Sequence, residues 1–245
     1  MLSYQSILQA NQNYYDKSWK KRRFTDPEKW PHWRIIGSYL KANNLEIGAG
    51  IKPKIPVKGN HFIDISSKSL KILESKGAKI ELSALDNKLP YFSGFFDLVC
   101  MFEVLEHLPN DKYVLKEISR ILKKDGILII SFPLHMAKYN DYDRFVGHIK
   151  RYDIAEIARL FEDSGFHPEY YAGINTPWPN MLLAKLLILV NTFPFGQLIF
   201  NKTSDFTDML LAKVTNQAIK LSGWDKNSLP SLGKATTGFF VMRNS

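Results

Sequence analysis

Cysteine is nearly missing from this 245-residue chain: Cys100 stands alone, inside the apolar run "DLVCMF". No internal disulfide can form, which excludes a stapled scaffold, fits a reducing compartment and makes Cys100 a core candidate. An uninterrupted apolar run of the ~20 residues needed to span a bilayer is also lacking. The nearest approach, "WPNMLLAKLLILVNTFPFGQLIF" (178–200), is broken by Lys185, Asn191, Pro194 and Gln197. It reads instead as a buried helix or lid over a cleft, a dimer contact, or a segment resting on a membrane surface. The N-terminal residues lack a basic-then-apolar leader. The expectation is a cytoplasmic protein, with peripheral membrane association left open and no oligomeric state implied. Repeats and low-complexity tracts are missing too, so one main domain is the economical reading. Acidic residues are in short supply: 24 against 33 Lys and Arg give a net charge of +9. That balance favours anionic partners, whether phosphorylated substrates, nucleic acid or an acidic membrane. The basic stretch "KSWKKRRF" (17–24) reads as a solvated helix face or arm, or as a contact for such a partner.

What is present is an alternation of strands and helices. Residues 28–42 carry Trp33, Ile36, Tyr39 and Leu40 at helical spacing, which predicts a helix beside the first strand. Strand-like runs follow at 44–48, 61–66, 78–83, 96–102 and 127–132. Between them lie helical patterns after Ser66 and over 110–126, the latter closed by Lys-Lys-Asp-Gly. Asp153 can cap a further helix that ends at Gly165. "HPEYYAG" and "TGFFVMR" read as a closing antiparallel pair at one edge of an otherwise parallel sheet. The predicted organisation is an arm and helix (1–42), a core (43–173), an apolar insertion (174–235) and a last core strand (236–245).

The glycine loop decides which ligand such a sheet would hold. "NLEIGAGIKPKIP" (44–56) supplies Gly48 and Gly50, but a dinucleotide frame then requires glycine where Pro53 stands. Proline there denies a helix its close seat on the strand, so a pyrophosphate site at a helix N-terminus is not expected. A ligand without phosphate, such as S-adenosylmethionine (SAM), has no need of that seat. Two glycines let backbone approach its methionine part, and Asp64, eighteen residues after Glu46, suits a ribose diol. The same Asp64 would serve NAD equally well.

"LEIGAG", "FIDIS", "LPYFSGFFDLVCMFEVLEHLPN" and "EISRILKKDGILIISFP" stand in one order along the chain. In that order they resemble the class I SAM-dependent methyltransferases, most closely the type 11-like branch. The resemblance implies a Rossmann-like α/β fold with a seven-stranded, mostly parallel sheet and an antiparallel edge strand. It implies SAM across the ends of strands one, two and four. By resemblance, Glu46, Gly48, Ala49 and Gly50 line the methionine side, while Asp64, followed by Ile65, holds the ribose. Leu85 and Asp86 flank the adenine, with Leu85 where an acid is usual. Met101, Phe102 and Glu103 approach the sulfonium. Some relatives encoded with surface-polysaccharide enzymes carry Gly-x-Lys-Pro at the loop.

Three histidines are candidate bases at the cleft edge: His107, His135 and His148. "RFVGHIKRYD" resembles an acceptor-shaping segment of the branch and brings in Arg151 and Tyr152, while Arg144 and Arg151 suit an anionic acceptor. "EVLEH" resembles the metal-binding stretch of small-RNA 2′-O-methyltransferases and certain quinone O-methyltransferases, yet the reading assigns no metal. The function implied is methyl transfer to an oxygen, or a nitrogen, of a small-molecule or glycan/lipid-linked acceptor. The alternatives are an RNA methyltransferase and a catalytically inactive binding protein.

Overall fold

The computed structural model describes residues 4–19, 23–30, 32–174, 219–224 and 232–245. The apolar segment 178–200 lies outside the described residues, as do most of the insertion and part of the basic arm.

Eight described strands form one sheet: β1 (Asn44–Ile47), β2 (His61–Asp64), β3 (Lys79–Leu82), β4 (Phe96–Phe102), β5 (Leu122–Pro133), β6 (Phe166–Ile174), β7 (Ser222–Gly223) and β8 (Thr237–Asn244). Their order is β3-β2-β1-β4-β5-β8-β6-β7. Strands β1 to β5 pair in parallel, and the order reverses between β1 and β4. That reversal opens a crevice beyond the strand ends, where ligands of such sheets sit.

The central strand β4 and residues 127–130 of β5 read as apolar runs because both faces are covered. One face gathers Leu45, Ile47, Val99, Met101, Leu128 and Ile130 under helices α4 (Asp111–Ile121) and α6 (Ile154–Asp163). The other buries Phe62, Leu98, Cys100 and Ile129 with Leu70 and Leu73 of α3 (Ser67–Glu74). Cys100 is a core residue, and burial pushes its thiol well up from its ordinary pKa. Ser66 caps α3 by accepting the Ser69 N–H.

Four details depart from the sequence reading. The predicted helix over 28–42 is a 3-10 turn (Pro27–Lys29) and a single turn, α2 (Trp33–Ile36). Its bonds relax to i+3 spacing at Ser38 and Tyr39, with Gly37 between the two halves. Helix α4 stops five residues before Gly126, because buried Leu122 is already extended and pairs with Phe96. The Ile121 carbonyl accepts from Phe95, drawing the chain onto the sheet. Strand β8 is not at the edge: it lies antiparallel between β5 and β6, and the short β7 adds an eighth strand outside them. Asp153 stands at the N-cap of α6 but spends its side chain on the Met136 N–H.

Candidate functional site

At the end of β1 the chain turns through Gly48 (φ +74°) and Gly50 (φ +56°). A Cβ on Gly48 would lie 2.3 Å from Val104 Cγ2, and one on Gly50 would lie 2.3 Å from the Trp19 ring. Bare backbone is required at both positions. Beyond them the Lys-Pro-Lys segment replaces the missing helix, and Glu46 holds it. The Glu46 Oε2 accepts the amides of Lys54 (2.7 Å) and Ile55 (3.1 Å), backbone donors that no helix is there to satisfy. Glu46 therefore faces the loop and does not line the cavity.

Burial pushes the Glu46 carboxyl up to about 7, against the pull of Lys54 and of the two amides. A carboxyl raised in the folded state favours folding while protonated. Its contribution is full below about 4.5, the unfolded value, and is lost as pH rises through about 7. Urea unfolding of wild type and Glu46→Gln at pH 5 and 8 checks this. Wild type loses stability relative to the variant at the higher pH, by up to ~3 kcal/mol; a loss at the lower pH instead contradicts it.

Asp64, at the tip of β2, is buried, with Oδ2 accepting the Gly50 N–H (2.9 Å) and Oδ1 the Ser66 N–H (2.8 Å). A carboxylate has about four acceptor positions, and with Ser69 also bearing on Asp64 at least one remains for a ligand. Beside it opens a cavity of about 290 Å³, at the small end of the range for ligand pockets, ~300–1,000 Å³. Of the candidate cofactor residues, Gly48, Ala49, Asp64, Ile65, Leu85, Phe102 and Glu103 line it. Glu46, Gly50, Asp86 and Met101 do not. Asp86 lines a neighbouring hollow with Leu82 and Ser83, and Met101 is buried in the sheet. Ile65, Ala84, Leu85 and Leu108 give the cavity apolar walls suited to a flat base. Glu103 sits at a strained φ of +53° and accepts the Ser131 hydroxyl at 2.7 Å.

His107 alone of the three candidate bases reaches the cavity. Its Nδ1 lies 2.9 Å from the Gly147 carbonyl, which can only accept, so Nδ1 carries the proton and Nε2 the lone pair. Burial lowers its pKa to about 4, and the neutral ring is the resting form. The Tyr15 hydroxyl donates to Nε2 at 3.3 Å. His148 lies behind it, with Nδ1 donating to Asp143 (2.8 Å) and Nε2 3.4 Å from Glu106. His135 is elsewhere, its Nε2 bonded to the Leu232 carbonyl. The three candidate acceptor residues are also off the cavity. Arg151 Nε bonds both oxygens of Asp143 at 3.0 Å, and the buried Tyr152 hydroxyl sits between Leu105 O and Asp111. Arg144 pairs with Asp141 on the surface.

Glu106 is fully buried, neither carboxylate oxygen has a hydrogen-bond partner among the described residues, and burial beside Glu103 and Asp143 raises its pKa well above the usual range. Ligand-type atoms of Glu106, His107 and His148 all lie within 4.8 Å of one another.

The N-terminal helix α1 (Tyr4–Trp19) closes the cavity with Leu8, Asn11, Tyr15 and Trp19. Asp16 on the same helix accepts the Ser66 hydroxyl at 2.6 Å, tying α1 to the end of β2.

The order reversal, the glycine turn and the acid at the tip of β2 coincide with a family match. Residues 18–170 fit the model of a methyltransferase domain. The chain belongs to this methyltransferase family. An uncharacterised protein of Methanocaldococcus jannaschii is 31% identical over 127 residues, 51% of this chain and 58% of the relative. The ubiquinone biosynthesis O-methyltransferase of Thiobacillus denitrificans is 26% identical over 137 residues, 46% of this chain and 56% of the relative. The chain thus spans between about a half and three fifths of the length of these curated relatives. Among solved structures, a SAM-dependent methyltransferase from Thermotoga maritima shares the fold at a TM-score of 0.58 and 16% identity, covering 98% of this chain and 99% of that one. Residues 18–170 are thus a methyltransferase domain on a Rossmann-like fold.

Sequence reasoning missed the α1 contribution to this methyltransferase's cavity. The signal was available: Leu8, Asn11, Tyr15 and Trp19 recur at spacings of three, four and four, one face of a helix. No helix among the described residues is long and apolar enough to cross a membrane.

Proposed function

We propose that the enzyme methylates an oxygen of a small or glycan/lipid-linked acceptor that enters beside His107, with His107 as the base. The observation that carries this is the Nε2 lone pair held at the cavity wall by the Nδ1 bond to Gly147. SAM supplies an electrophilic methyl group on a sulfonium. Asp64 bonds the ribose, and Gly48 and Ala49 admit the methionine part. His107 would orient the acceptor hydroxyl and take its proton at Nε2 as the oxygen–carbon bond forms, the electron pair of the broken carbon–sulfur bond staying on the departing thioether. The Tyr15 phenol, 3.3 Å from Nε2, marks where such a hydroxyl can sit. Alignment of this kind contributes up to ~7–11 kcal/mol to lowering a barrier. The apolar segment 178–200 and the net charge of +9 favour a lipid-linked or anionic acceptor over a neutral aqueous one.

A second reading is favoured by Glu106. A buried carboxyl with no hydrogen-bond partner among the described residues, facing two imidazoles, fits a divalent cation held by Glu106, His107 and His148. Such an ion would supply Lewis-acid polarisation of the acceptor oxygen. One experiment addresses both readings. Methyl-labelled SAM is incubated with purified enzyme and separate lipid, aqueous-metabolite and RNA extracts, with and without excess chelator. The first reading expects label in an O-methyl product of a non-RNA fraction, unchanged by chelator. Activity lost in chelator and restored by Mg²⁺ or Mn²⁺ selects the second. Label confined to RNA overturns the acceptor assignment.

A further inference from the structure

Helix α1 already fills the position on His107 that an acceptor hydroxyl would take. A neutral imidazole has one acceptor nitrogen, and the Tyr15 hydroxyl engages it, Nε2, at 3.3 Å. Tyr15 and an acceptor therefore exclude each other. The same helix also braces the other side of the ring. Asn11 is buried against Gly147, whose carbonyl fixes Nδ1: a Cβ on Gly147 would lie 2.3 Å from Asn11 Oδ1. One turn beyond Tyr15, Trp19 stacks on it, with 6.1 Å between ring centres and 15° between planes, and roofs the glycine turn at Gly50.

The attachment of α1 is of a kind that opens. Among its described side chains only Leu8 and Asn11 are buried, whereas the shorter α4 buries Val114, Leu115, Ile118 and Ile121. Little apolar surface is exposed when α1 lifts, so its local opening costs far less than unfolding of the core. Polar pairs make up much of the remaining hold: Tyr15 with His107, and Asp16 with the Ser66 hydroxyl at 2.6 Å and with Lys68 Nζ at 3.9 Å. Each contributes modestly, because water or a ligand hydroxyl can replace it.

We propose that α1 is a lid latched on His107 by Tyr15, and that the enzyme engages its acceptor only after Tyr15 has released Nε2. This rests on the reading above that the acceptor hydroxyl meets His107.

Diethylpyrocarbonate, which acylates an accessible imidazole nitrogen, probes the latch on the full chain. Excess chelator is present, and peptide mass spectrometry identifies the modified histidines. His167, exposed on β6, is the internal reference. In wild type His107 reacts far more slowly than His167. Tyr15→Phe raises the His107 rate relative to His167 about 2- to 10-fold, the shift that loss of one neutral hydrogen bond implies. Asp16→Ala leaves Tyr15 in place but removes the tie to Ser66, and it raises the rate as well. Amides of α1 exchange faster than those of α4 in wild type.

Wild-type His107 that reacts as fast as His167 overturns the latch, and so does an unchanged rate in both variants. A rise confined to Tyr15→Phe also overturns the lid, since one side chain and not the helix is then the cover. Exchange of α1 amides in step with those of α4 does the same, because α1 then opens only with the whole fold. None of these readouts requires methyl transfer. If the lid opens as expected while His107→Gln turns over like wild type, the lid stands and the base assignment falls.

Discussion

His107→Gln lowers kcat by about 100-fold or more while leaving S-adenosylhomocysteine affinity nearly unchanged, the loss typical of removing a positioned general base. The expectation follows from a tautomer. Gly147 presents a carbonyl to Nδ1, and a carbonyl cannot donate, so the ring has only one arrangement of its proton. Nε2 then presents its lone pair to the Tyr15 hydroxyl at the cavity wall, the position an acceptor hydroxyl would take over. Glutamine keeps the size and a hydrogen-bonding end but cannot accept a proton at neutral pH. Single-turnover rates with labelled SAM read the chemical step, and calorimetry reads binding. A variant that turns over like wild type removes His107 from the chemistry. One that loses cofactor affinity in step with kcat assigns it to binding instead. His148→Gln is the informative companion. Its imidazole bonds Asp143 and approaches Glu106 without lining the cavity, so in the metal-free reading its loss costs far less than that of His107. Equal losses for the two variants point to a shared ion.

The centre of the parallel core was legible because its strands are buried on both faces, which writes them as uninterrupted apolar runs such as 98–102 and 127–130. That Gly48 and Asp64 stand at the cavity was legible too, since a tight turn after β1 and an acid ending β2 each demand a particular residue type. Glu46 was harder. The family resemblance implied a ligand contact, but its acceptor oxygen goes to donors of its own chain, eight and nine residues on, where proline prevents a helix. Arg151 and Tyr152 show the same confusion. Polar groups near a site draw attention as binders, whereas here they orient Asp143 and anchor the loop to Leu105 and Asp111. Ends of elements were the least readable. Lys123 to Gly126 carry helix-closing chemistry, yet pairing of Leu122 with Phe96 pulls them into β5, and Asp125 absorbs the mismatch at φ +61°. The α1 stripe was overlooked because an arm rich in lysine and arginine follows it, and charge masked the helical spacing.

Asp64→Asn weakens S-adenosylhomocysteine by about 10-fold or more, from the charge-assisted bonds a carboxylate makes to a diol. The asparagine variant is preferred to alanine for a structural reason. Asp64 also accepts the buried amides of Gly50 and Ser66, and alanine would strand both, at ~1–3 kcal/mol for each orphaned group. Loss of binding in Asp64→Ala could then come from collapse of the glycine turn. Asparagine retains an oxygen for one of those donors and removes the charge. A double cycle isolates the ribose contact. The 2′,3′-dideoxy analogue of S-adenosylhomocysteine should bind wild type about 10-fold or more weakly and show little further loss on Asp64→Asn, because the partner is already gone. Independent, additive losses mean that the hydroxyls are held by other groups and that Asp64 acts only through the turn. Undiminished affinity in Asp64→Asn removes the carboxylate from cofactor recognition altogether. Since Asp64 links Gly50, Ser66 and, through Ser66, Asp16 of α1, the same variant also reports whether the helix over the cavity depends on that carboxylate. Faster amide exchange in α1 of the variant, with β2 still protected, is the expected signature.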